Sequence, residues 1–176
     1  MLEEILPGLA HAPNTHPMFV HFPIALWAAA GLFLFLGMVR QREDMFIAGR
    51  WLLYIGAIGA AVAIGTGLRA ADVLGHDSPG HELVHVHRDF MLAASGLGLV
   101  ATLGAAALRD RENVTAKWGV TLLALATIGV LTLGADRGAA LVFQHGVGVA
   151  DGPEPSLDSP HVDDHDASHD HSHDSR

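Results

Sequence analysis

The sequence predicts an all-α protein, a four-helix transmembrane bundle in up-down-up-down order, followed by a disordered C-terminal tail. Three observations predict it. Half of the 176 residues are hydrophobic and mean hydropathy is positive, at +0.33. Four stretches, 22–39, 51–68, 90–108 and 118–135, contain no Asp, Glu, Lys or Arg, and each approaches the roughly 20 residues a helix needs to cross a bilayer core. Amphipathic soluble helices would instead carry charges every three or four positions. The last 26 residues then change character to a His/Asp/Ser tract, whose composition offers no core to bury. The chain divides accordingly into an N-terminal segment, 1–15, a four-span membrane domain, 16–150, and a tail, 151–176.

Taken in order, residues 1–15 hold Glu3 and Glu4 but no Lys or Arg, so the positive region of a cleaved signal peptide is missing and the first apolar segment is expected to remain as a span. Pro23 lies early in that span, where a proline either begins a helix or bends it. Arg40, Arg42 and Arg50 separate spans one and two, and Arg109, Arg111 and Lys117 separate spans three and four. By the positive-inside rule both loops are cytoplasmic, with Trp51 and Trp118 at their edges as interfacial anchors. The N-terminus, the 70–80 connection and the tail then face the periplasm of a bacterial inner membrane. Arg69, Arg88 and Arg137 are the bases on that face, an exception that asks for a reason.

The formal charge of −9 divides unevenly: residues 151–176 carry eight acids against Arg176, leaving a net −2 for the rest. No basic patch suited to nucleic acid exists. The absence of cysteine excludes disulfides, thiolate ligands, c-type haem attachment and Cys-held iron–sulfur clusters. Metal chemistry must rest on histidine and carboxylate.

Small residues recur four apart within the spans, among them Gly56 with Ala60, Ala94 with Gly98, and Gly134 with Gly138, a pattern that brings helix backbones close in lipid. Gly96 lies eleven residues from His85, and Gly138 seven from His145, so each pair returns to nearly one helix face. A bare backbone surface beneath an imidazole suits a flat ligand.

The motifs His16-Pro17-x-x-Val20-His21-Phe22-Pro23-Ile24 and Gly138-x-x-Leu141-Val142-Phe143-x-His145-Gly146 resemble a bacterial four-span membrane family catalogued as domain of unknown function 2231, over roughly residues 14–150. Members of that family sometimes accompany, or are fused to, c-type cytochromes or Rieske-type proteins. The resemblance implies a redox setting and supplies no established activity.

In an up-down order the start of span one, the end of two, the start of three and the end of four share one side, so His16, His21, His81, His85 and His145 are expected to converge. Ionisable groups at membrane depth usually mark function. A b-type haem needs one or two neutral imidazoles, an apolar slot and cations near its propionates. The expected ligands are His21, His85 and His145, with Arg69, Arg88 and Arg137 for the propionates and His16 and His81 as supporting or alternative ligands. His81 and His85 lie one helical turn apart and Arg88 continues their face, while His87 is expected to point elsewhere. The expected role is electron transfer with a membrane or periplasmic redox partner, an electron carrier rather than an enzyme. Two alternatives stand beside it. In one, imidazoles hold zinc, copper or iron with help from Asp72, Asp89 or Asp136, and His165, His169, His171 and His173 of the tail gather divalent ions. In the other, the chain is a cofactor-free subunit of a membrane complex. Thr66 and Ser95 are isolated in apolar runs and are expected to bond back to their own helices.

Overall fold

Four long helices account for nearly all of the computed structural model, which describes residues 2–5, 15–74, 80–147 and 149. After a single turn at Leu2–Ile5 come α1 (His16–Val39), α2 (Glu43–Val73), α3 (His81–Ala107) and α4 (Val114–His145). All four are long and apolar enough to cross a membrane. The 31 and 32 residues of α2 and α4 span about 46–48 Å at ~1.5 Å per residue, well beyond a hydrocarbon core of about 30 Å. The helices therefore project past the apolar runs that predict them. Arg50 and Lys117, expected between spans, lie inside helices. The tail, with its four candidate ligands, lies outside the described residues.

The helix ends follow from local chemistry. Asn113 caps α4, its side-chain oxygen accepting from the Ala116 N–H at 3.0 Å. Gly146 closes the same helix in the left-handed region, with φ of 65°, a conformation that costs glycine nothing. Pro17 occupies the first turn of α1, where its missing N–H is no loss. Pro23 neither begins nor ends α1: the helix runs through it, with the ring buried.

Each helix turns a stripe with alternating spacings of three and four toward the axis. In α1 the stripe runs Trp27, Ala30, Leu34, Gly37, and in α3 Ala94, Gly98, Ala101, Ala105. This is the seam of near-parallel, left-handed helix packing. The interior is built largely of glycine, alanine and self-bonded threonine. Thr102 donates to Gly98 O at 2.7 Å, and Thr121 to Lys117 O at 2.9 Å. Large side chains such as Phe33, Ile58, Leu103 and Leu122 face outward. Small inside and large outside is the arrangement expected where the surroundings are lipid and close backbone packing drives association.

Trp27 is the largest of the few bulky buried side chains, which also include Phe46, Leu34 and Leu53. It is 2% exposed, lies against Gly56 and Gly98, and donates from Nε1 to Leu53 O at 3.3 Å. Packing is heaviest between α1 and α2 and between α3 and α4, and lighter across α1–α4 and α2–α3. The bundle is thus two helical hairpins laid side by side. At one end they are tied by Lys117, which bonds Glu43 at 2.9 Å and Glu112 at 3.3 Å and stands over the Phe46 ring. Arg50 donates to Arg109 O at 3.2 Å beside it. The opposite end holds the histidines.

Candidate functional site

At the histidine end a cavity opens between the two hairpins. It encloses about 90 Å³ within a cleft whose free space, open mouth included, is about 680 Å³. Trp27 and Pro23 line it from α1, Ala63 and Gly67 from α2, Met91 from α3 and Leu131 from α4. Its polar groups are few: the imidazoles of His16 and His87, with Arg88 and Ser95. Mostly apolar walls with a few convergent polar groups are the usual form of a ligand site.

Both imidazoles are held in the same way. His87 Nδ1 lies 2.8 Å from Gly134 O; a carbonyl only accepts, so the proton is on Nδ1 and Nε2 carries the lone pair. His16 Nδ1 lies 3.2 Å from Thr66 Oγ1. The Thr66 hydroxyl donates to its own helix, at Val62 O and Ala63 O, so its oxygen accepts from His16 and fixes the same tautomer. Thr66 thus bonds back to its helix as expected, and also orients a ring. An Nδ1–H anchored on an oxygen is the support that ligating histidines use to present Nε2.

Glycine makes room for each ring. A Cβ on Gly67 would stand 2.8 Å from His16 Cε1, and one on Gly138 would stand 2.9 Å from His87 Cε1. Any larger residue would displace the imidazoles.

The expected ligands stand elsewhere. His21 is exposed and bonds within α1, Nδ1 to Pro17 O at 2.8 Å. His85 is exposed and faces His81, their Nε2 atoms 3.0 Å apart. His145 lies over Gly80, at the start of α3. None of the three lines the cavity, and they do not meet one another. His16, a supporting ligand in the sequence reading, is inside. Gly138 lies beneath His87 rather than His145, and Gly96 faces open space. Of the three arginines, Arg88 lines the cavity and also holds Asp89 at 3.2 Å. Arg137 pairs with Asp136, and Arg69 is exposed at the end of α2. Among the described residues no three His, Asp or Glu side chains are placed to share an ion.

His87 and Trp27 are the residues the sequence reading missed. The signal was present: extending the α3 stripe back from Ala94 by three and then four residues reaches Met91 and His87. The same step on α1, from Trp27 back through Pro23 and Val20, reaches His16 and passes by His21.

No curated relative and no solved structure resembles the chain. A family model does match, over residues 12–151. Four lipid-suited helices, the His-Pro opening and the His-Gly close all lie within that match, and the chain belongs to the family described as "Predicted membrane protein (DUF2231)".

Proposed function

We propose that the chain is an electron-carrying membrane protein in which His16 and His87 hold a b-type haem between the two hairpins. The observation that carries this reading is the matched anchoring of two imidazoles on different helices, His16 Nδ1 against Thr66 Oγ1 and His87 Nδ1 against Gly134 O, both lining one cleft. Fit is supported by the glycines beneath both rings, by the apolar lining, and by Arg88, a cation for a propionate. The enclosed 90 Å³ is below the roughly 300–1,000 Å³ of ordinary ligand sites, so the group would occupy the open part of the cleft as well as the enclosed space. When bound, haem supplies a one-electron couple. The chain's residues fix the ring orientation, exclude water with Trp27 and Pro23, and set the charge at the rim. With the six bases at the opposite end of the bundle placed in the cytoplasm, this end faces the periplasm of an inner membrane, along with any periplasmic redox partner.

The absorption spectrum tests the proposal. Protein produced with haem supply and purified in detergent is expected to show a Soret band that shifts on reduction, with about one haem per chain. His16→Ala and His87→Ala should each lose it, while His21→Ala, His85→Ala and His145→Ala keep it. A colourless protein, or a spectrum unchanged by both cavity substitutions, overturns the assignment. A protein lacking both haem and metal leaves the structural-subunit role.

A further inference from the structure

We infer that His81 and His85 form a two-imidazole clamp for one divalent transition-metal ion, outside the cavity and independent of what the cavity binds. The two residues lie one turn apart at the start of α3, so a continuous helix holds both side chains on one face. Their Nε2 atoms are 3.0 Å apart and the rings stand at 83° to each other, with centroids 4.6 Å apart. That separation is the bite of two neighbouring ligands on one ion: bonds of about 2.0–2.1 Å meeting at roughly 90–110° put their nitrogens about 2.9–3.4 Å apart. An ion can thus seat between the rings with small side-chain rotations and no movement of the backbone.

The surroundings suit a cation despite Arg88 on the next turn, because Arg88 is engaged by the Asp89 carboxylate. Glu82 adds a second exposed acid beside the pair. Two imidazoles without thiolate favour copper, nickel or zinc over magnesium or calcium. Water fills the remaining positions, or donors from the tail do. His145 lies over Gly80, the residue before His81, so the chain leaves α4 beside the pair and carries five histidines between His161 and His173. Tethered donors of this kind raise the effective ligand concentration at the clamp.

The tail must be silenced for the test to be clean. In full-length protein with His161, His165, His169, His171 and His173 all changed to Ala, Cu²⁺ titration followed by calorimetry and by electron paramagnetic resonance is expected to show one ion coupled to two ring nitrogens. Changing His85→Ala in that background should weaken Cu²⁺ binding about 100-fold or more, as should His81→Ala. His21→Ala, an exposed imidazole on α1, should leave binding unchanged, and circular dichroism should show all variants equally helical. Binding that survives His85→Ala, that falls equally with His21→Ala, or that shows coupling to a single nitrogen would overturn the clamp. Restoring the tail and finding tighter binding that still needs His85 would assign the tail the remaining positions; tighter binding that no longer needs His85 would overturn the clamp as the chain's metal site.

Discussion

His87 lies flat against Gly138, its Cε1 only 2.9 Å from where a Cβ on that glycine would stand. The ring cannot retreat without giving up its bond to Gly134 O. Gly138→Val should therefore displace the imidazole, costing about 1–3 kcal/mol through overpacking and most of the bound haem. Gly129, which has nothing within 4 Å, is the control: Gly129→Ala should hold or raise stability by up to about 1 kcal/mol, as relief of a helical glycine does, and leave the spectrum alone.

Thr66 orients His16 through a single oxygen. Thr66→Val keeps the shape but removes the acceptor for Nδ1–H. The haem is expected to remain, with a shifted midpoint potential and a broadened ligand signature, while Thr66→Ser restores both. Equal potentials in all three proteins would remove Thr66 from the site.

Trp27 fills the space that Gly56 and Gly98 leave. Trp27→Ala should cost about 3–5 kcal/mol in reversible unfolding in detergent, because neighbours so tightly packed cannot collapse into the void. A loss below about 1 kcal/mol would mean the bundle repacks around the gap.

The clasp at the other end gives a charge prediction. The Lys117 side chain is 7% exposed and Glu43 is 54% exposed. Glu43→Gln leaves the buried ammonium only the exposed Glu112 carboxylate at 3.3 Å and should destabilise by about 1–2 kcal/mol, less than for a fully buried pair because Glu43 is half in solvent. Combining it with Lys117→Met should recover much of that loss. Additive effects of the two changes, read from a double-mutant cycle, would show that the two groups do not interact.

Arg50 is 9% exposed, and its Nε has no hydrogen-bond partner among the described residues. Its Nη1 donates to Arg109 O at 3.2 Å. Replacing a poorly satisfied buried cation by an apolar chain of similar length is often neutral or stabilising, so Arg50→Met should raise or hold the unfolding midpoint. A fall worth more than about 2 kcal/mol would point to a counter-ion supplied from outside the chain.

Much of the architecture was readable from residues alone. Four charge-free runs sufficed to count the spans, and the small-residue spacing anticipated close helix contacts. The ends were harder, because a helix that leaves the hydrocarbon carries charges and no longer looks like a span; hence Arg50 and Lys117 were read as loop residues. The site was half legible. Convergence at one end follows from counting crossings, but which imidazoles turn inward depends on rotation about each axis. His81, His85 and Arg88 suggested one rotation for α3, and the buried Ala94, Gly98 and Ala101 enforce another. That second choice brings His87 inward and leaves His85 exposed.

The two hairpins touch lightly across their shared face, and the cleft runs along that same face. Lys117 with Glu43, and Arg50 with the Arg109 carbonyl, bridge the hairpins at the far end, and Trp27 against Gly98 and Thr102 against Leu53 O join them nearer the middle. Parting them like tongs at the histidine end breaks few contacts and leaves that grip closed. The haem proposed above would on this account enter by the mouth of the cleft, without unthreading any helix from the bilayer.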